Sequence, residues 1–217
     1  MRTRVKICCI AAIDELRCAT EAGADAVGLV GPMPSGPGPI APPLIKHLAR
    51  QASPAVATFL LSSSTTAAEL LAEIVDAGTT VLQIVDAVPV ETYAMLRDAL
   101  PALKLVQVIH VEDERAVAEA RGLAPHVDGL LLDSGRPGAA VKELGGTGRR
   151  HDWRLSREIV RSVPCPVFLA GGLTADNVAE AIRTARPYGV DICSGVRRDG
   201  RLDPQKLQDF MGAVAAA

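Results

Sequence analysis

Short apolar runs of strand length recur along the chain, each followed by a turn and a longer stretch in which apolar residues return every three or four positions. The runs predict strands over 5–10, 26–30, 55–60, 81–85, 103–109, 129–133, 167–170 and 190–193. The spacing between them predicts helices over 12–22, 42–51, 66–77, 89–100, 112–122, 154–162, 175–185 and 204–214. Pro42, Pro89 and Pro204 suit a first helical turn, where no backbone donor is needed, and Ser64 and Thr174 are candidate caps for the helices that follow them. Near-continuous apolar strands are buried on both faces, the habit of parallel strands covered by helices. Eight strand–helix units joined by right-handed crossovers allow such a sheet to close, so the expected fold is α/β, a single (β/α)8 barrel domain over residues 1–217. The competing architecture is an open doubly wound sheet, which usually has fewer strands and a glycine-rich fingerprint after the first one. Here Cys8-Cys9-Ile10-Ala11-Ala12 stands in that place.

Composition narrows the partners. Hydrophobic residues make up 48% of the 217 residues but aromatics only 3%, so aliphatic side chains must fill the core. A net charge of -2 without a basic tract gives no reason to expect nucleic acid or an anionic membrane, and a small metabolite is the expected partner. No apolar run approaches a membrane span, and Met1-Arg2-Thr3-Arg4 leads into too short an apolar stretch for a signal peptide. The five cysteines are odd in number and lack CxxC spacing, which argues against a disulfide framework or a zinc site and for the cytoplasm. Oligomeric state is not readable.

In a barrel of this kind the reacting groups gather at the C-terminal ends of the strands. The last two ends, Ala170-Gly171-Gly172-Leu173-Thr174 and Cys193-Ser194-Gly195-Val196, combine small residues with adjacent helix starts, as a phosphate site after strands seven and eight requires. Gly171, Gly172, Ser194 and Gly195 are therefore candidate phosphate ligands. The long sixth loop, 134–152, adds Gly146 and Gly148, where backbone can approach a ligand, and Arg149, which can meet negative charge. Asp133 ends an otherwise apolar strand, and a thiol from Cys8 or Cys9 on the same face would complete an acid/base pair. Side chains alternate along a strand, so only one of these two cysteines is expected to reach the mouth. If it is Cys8, then Lys6 shares its face. His110 is either a third titrating group or a hydrogen-bonded structural histidine.

Together these segments resemble the phosphoribosylanthranilate isomerases. The resemblance runs over essentially the whole chain. It is carried by Val5-Lys6-Ile7-Cys8, Glu21-Ala22-Gly23-Ala24-Asp25-Ala26-Val27-Gly28, Leu131-Leu132-Asp133, Gly145-Gly146-Thr147-Gly148 with His151-Asp152-Trp153, Ala170-Gly171-Gly172-Leu173, and Ser194-Gly195-Val196. It implies an Amadori rearrangement of N-(5-phosphoribosyl)anthranilate in tryptophan biosynthesis, with Asp133 as general acid, Cys8 as general base, backbone N–H groups on the sugar phosphate, and no metal or organic cofactor. Lys6, Gln83, His110, Arg149 and Arg197 are further candidates for substrate contact.

Four places depart from the family pattern. Cys9 stands where the family has Gly, and Ala11 where it has Thr. The segment after strand two, Met33-Pro34-Ser35-Gly36-Pro37-Gly38, lacks the arginine that meets the anthranilate carboxylate. Gln83-Ile84-Val85-Asp86 replaces Gln-Leu-His-Gly, and Arg197 replaces a Glu. These changes leave two alternatives to the isomerase: a barrel acting on another phosphorylated sugar or glycosylamine, and a non-catalytic phosphometabolite binder.

Overall fold

The computed structural model describes residues 2–34, 36–135 and 151–217. Eight parallel strands close into a barrel in chain order, each paired with the next and β8 with β1. The strands are β1 (Arg4–Ile7), β2 (Ala26–Val30), β3 (Ala57–Ser62), β4 (Val81–Ile84), β5 (Lys104–His110), β6 (Gly129–Asp133), β7 (Val167–Leu169) and β8 (Gly189–Ile192). The helices are α1 (Ile13–Glu21), α2 (Pro42–Gln51), α3 (Ala67–Ala77), α4 (Val90–Ala99), α5 (Arg115–Leu123), α6 (Trp153–Ser162), α7 (Val178–Ala185) and α8 (Pro204–Ala215). Each falls on its expected segment with shifts of a few residues at the ends. Two short 3₁₀ turns, Ala124–His126 and Ser194–Val196, and a small antiparallel hairpin of β9 (Arg197–Arg198) and β10 (Arg201–Leu202), are additions the periodicity does not signal. Among the described residues no helix is long and apolar enough to cross a membrane.

Strand alternation sorts the core into two layers. Ile7, Val27, Leu29, Leu60, Leu82 and Leu130 point outward and pack with the helices. Val30, Phe59, Leu61, Val85, Val108 and Leu131 point into the barrel. The same parity turns Lys6, Gln83, Asp133 and Asp191 inward, because each sits an even number of residues from an inward neighbour. Phe59 and Phe168 are the aromatics of this interior cluster, and their rings meet edge to face at 6.0 Å.

The expected caps are corrected. Thr66, not Ser64, accepts from the Glu69 N–H at the start of α3, and the Ser64 hydroxyl is drawn away to Glu73 at 2.7 Å. Thr174 does not cap α7, which begins after Asn177. Pro42 and Pro204 occupy first-turn positions, whereas Pro89 stands just before α4.

Candidate active site

The C-terminal ends of the strands surround one cavity. Cys8, Gln83, Asp133, Gly171, Gly172 and Ser194 all line it, although they are spread over 187 positions of the chain. Its apolar side is formed by Val30, Met33, Leu61, Val85 and Val108. Among the described residues no basic side chain lines the cavity.

At the β1 end the alternation rule breaks. Cys8 is reached from Lys6 by the strand's period, and its N–H still donates to the Ile192 carbonyl at 2.8 Å. Cys9 then adopts a left-handed backbone, φ 62°, which turns its side chain to the mouth as well. Both cysteines therefore line the cavity, in place of the single one that strict alternation expects. A non-glycine residue in this region costs about 1–3 kcal/mol unless its surroundings hold it there. The segment after β2 helps to do so: the Cys9 thiol donates to the Pro37 carbonyl at 3.7 Å. Gly38 packs so closely that a Cβ on it would come within 2.7 Å of the Cys9 Cβ. The stretch that lacks the expected arginine is thus seated on Cys9. Hydrogen bonding to Cys193, then contact with Cys8 and burial, push the Cys9 thiol well above its ordinary range, while the same Cys9 contact and Arg197 lower Cys193.

Asp133 reaches the wall from the opposite side of the barrel. Burial raises its pKa, opposed by the Ser134 N–H, which donates to its carboxylate at 2.7 Å, and by His110 and Lys6. A carboxyl raised in this way keeps its proton to higher pH than a solvated one, which suits a general acid. His110 sits beside Asp133 in the β5–β6 register, but its Nε2 bonds the Val85 carbonyl at 3.1 Å and its ring faces a neighbouring groove.

Lys6 lies beneath the mouth rather than on its wall. It is fully buried, with Nζ 2.8 Å from Asp191, its register partner on β8, and 5.2 Å from the centre of the Phe59 ring. Burial works against the ammonium, yet Asp191 outweighs it and the pKa of Lys6 is raised. Gly28 makes room for this arrangement, since a Cβ there would stand 2.8 Å from the Cys8 Sγ and 3.1 Å from the Lys6 Nζ. Asp191 itself lines the cavity. Sequence reasoning passed over it, although a lone carboxylate in Val190-Asp191-Ile192 and a lone ammonium in Val5-Lys6-Ile7 are the signal of a buried pair across two neighbouring strands.

On the glycine side, Gly171 and Gly172 both take left-handed backbones, φ 84° and 63°. Asn177 fastens their loop: its Nδ2 donates to the Gly172 carbonyl and its Oδ1 accepts from the Thr174 N–H, each at 2.9 Å. Among the described residues, the N–H groups of Gly171, Gly172, Ser194 and Gly195 donate to no backbone acceptor. Four such donors on two adjoining turns have the arrangement that an anion site requires. Gly195 is required by contact: a Cβ would fall 2.2 Å from the Leu173 carbonyl oxygen. Gly195→Ala must push the two turns apart, at about 1–3 kcal/mol for the overpacking. Its KM for a phosphorylated substrate is expected to rise about tenfold or more, together with weaker inhibition by inorganic phosphate. An unchanged KM would show that the two turns do not act as one cradle.

Gln83 is buried, and its Oε1 has no hydrogen-bond partner among the described residues while its side chain lines the cavity. A buried acceptor left unpaired is costly by about 1–3 kcal/mol, and this oxygen is free to accept from a donor that enters the cavity. Arg197 does not line the cavity. It stands behind Cys8 and Cys9 in an ion pair with Glu15 at 3.0 Å. Gly146, Gly148 and Arg149 lie outside the described residues.

Comparison with known proteins places the whole chain in one family. Residues 5–213 match the family model described as N-(5'phosphoribosyl)anthranilate (PRA) isomerase. The N-(5'-phosphoribosyl)anthranilate isomerase of Haloferax volcanii is 39% identical, covering 99% of this chain and 94% of that protein. Its counterpart from Methanocella arvoryzae is 35% identical, covering 98% of each. The solved phosphoribosyl anthranilate isomerase of Thermococcus kodakaraensis superposes with a TM-score of 0.82 at 30% identity, over 99% of this chain and all of that one. With the family model spanning nearly the whole chain, and full-length relatives well above 30% identity, the chain belongs to the N-(5'-phosphoribosyl)anthranilate isomerase family.

Proposed function

We propose that this barrel performs the family's Amadori rearrangement, converting N-(5-phosphoribosyl)anthranilate to the 1-deoxyribulose phosphate product in tryptophan biosynthesis, with Asp133 as acid and Cys8 as base. The observation that carries the reading is the placing of both groups on one cavity that ends in the Gly171–Gly172 and Ser194–Gly195 donors. The phosphate docks on those N–H groups, and the aromatic ring lies against the apolar wall of Val30, Met33, Leu61, Val85 and Val108. Asp133 donates its proton to the ribose ring oxygen as the ring C–O bond breaks, and the anthranilate nitrogen lone pair forms the C=N bond. The Cys8 thiolate then removes the proton from the sugar C2, and the electron pair left behind neutralises the iminium to give the enolamine. Tautomerisation of the enol yields the ketose. No step calls for a metal or an organic cofactor.

Gln83 offers its Oε1 to a substrate O–H or N–H. Gln83→Leu is expected to raise KM about tenfold with a smaller change in kcat, in line with loss of one buried hydrogen bond; a kcat change alone would assign the residue elsewhere. A cytoplasmic setting fits a thiol base, which has to stay reduced. The direct test is whether the chain restores growth without tryptophan to cells that lack the isomerase. Growth is the expected result. A folded, expressed protein that neither restores growth nor turns over phosphoribosylanthranilate would reject this reading in favour of another phosphorylated substrate.

A further inference from the structure

The departures at Cys9, Ala11 and Arg197 are distant in sequence but meet at one place. Arg197 Nη1 donates to Glu15 Oε1 and to the Gly200 carbonyl, each at 3.0 Å. Its Nη2 donates to Glu15 Oε2 at 3.2 Å, to the Cys8 carbonyl at 3.3 Å and, in a closer contact, to the Cys9 carbonyl. Glu15 in turn accepts the Ala11 N–H at 3.0 Å and the Leu202 N–H at 2.9 Å. The Lys206 ammonium closes the set by donating to the Arg197 carbonyl at 2.8 Å. The pair is well covered, with the Arg197 and Glu15 side chains 9% and 7% exposed.

The β9–β10 hairpin and the start of α8 are thereby bolted to the turn that carries the two cysteines. That turn has a specific need of a bolt. Cys8 lies one residue past the end of β1, and Cys9 holds a left-handed backbone without being glycine. A guanidinium fork is suited to gripping two successive carbonyls while its other edge is fixed by a carboxylate. We propose that Arg197, oriented by Glu15, is a positioning residue for the isomerisation: it fixes the Cys8–Cys9 peptides so that the Cys8 thiol is aimed at the sugar C2. Arg197 acts through Cys8 and does not touch substrate. The inference rests on the reading of Cys8 as the base.

The test compares Arg197→Met, Arg197→Lys and Cys8→Ala, using substrate carrying protium or deuterium at the sugar C2. Misplacing a reacting group by about 1 Å can cost about 100-fold. Arg197→Met is therefore expected to lower kcat about 10- to 100-fold with KM changed less than about threefold, and to enlarge the C2 isotope effect on kcat because proton removal becomes slower. Arg197→Lys reaches only part of the network, and its kcat should fall between the two; it also carries the test if the methionine variant does not fold. A lower melting temperature with kcat and isotope effect unchanged would reduce the bolt to a structural staple and overturn the proposal. A raised KM with unchanged kcat would overturn it too, by making Arg197 a direct substrate contact. Cys8→Ala separates the two levels: if it retains turnover, the base assignment and the proposal fall together, whereas an inactive Cys8→Ala beside a normal Arg197→Met removes the proposal alone.

Discussion

Asp133→Asn is expected to lower turnover about 10²- to 10⁴-fold, the range for loss of a positioned general acid, while the barrel stays folded. The amide is nearly isosteric and keeps an oxygen for the Ser134 N–H, so the cavity wall should be preserved. It cannot donate a proton to the ring oxygen. The pH dependence follows from the direction of the Asp133 shift, which is upward from 3.8 chiefly through burial. Turnover that needs the protonated acid should decline as pH rises through the folded-state value, and this limb should vanish in the asparagine variant.

Stability should move the other way. With its pKa raised, the folded protein binds the Asp133 proton more tightly than the unfolded chain does, so stability falls as pH climbs above the unfolded-state value. Asn removes that liability. The variant is thus expected to be at least as stable as the parent at neutral pH by denaturant unfolding, although nearly inactive. Wild-type turnover by Asp133→Asn would eliminate the carboxyl as the acid.

Lys6→Met should produce the largest loss of stability. It leaves Asp191 buried under the mouth with no ion-pair partner among the described residues, and removing one partner of a buried pair costs about 3–5 kcal/mol. The folded-state pKa of Lys6 lies above its ordinary 10.5, so its contribution is present throughout the neutral range and is lost only at strongly alkaline pH. The destabilisation measured by urea unfolding should therefore be flat between about pH 6 and 9. The double variant Lys6→Met with Asp191→Asn should recover much of it, because the uncompensated charge is gone. If the single and double variants are equally destabilised, packing against Phe59 rather than charge explains the loss.

The eight-unit architecture was written in local pattern. Apolar runs of strand length, helical spacing between them and prolines at helix starts depend on neighbours a few positions apart, so one chain displays them without its fold. The same locality made Asp133 legible as a charge ending an apolar strand, and the glycine pairs legible after strands seven and eight. The roles proposed for Cys8 and Asp133 came from resemblance to the family.

What joins residues far apart in the chain is another matter. The Lys6–Asp191 pair depends on β8 closing against β1, a contact between residues 185 positions apart. Arg197 was readable as a departure, but not as the clamp on Cys8 and Cys9, because its partners come from α1 and two loops. The break in alternation at Cys9 was equally hidden: strand parity is local, whereas a left-handed cysteine persists only where Pro37, Gly38 and Arg197 converge to hold it. Periodicity thus determined the barrel and the face on which chemistry would lie, since both follow from the pleat. Closure of the barrel decided which side chains are paired, which are left facing the cavity and which grip the Cys8–Cys9 turn from behind, since those outcomes depend on long-range contacts that no local pattern encodes.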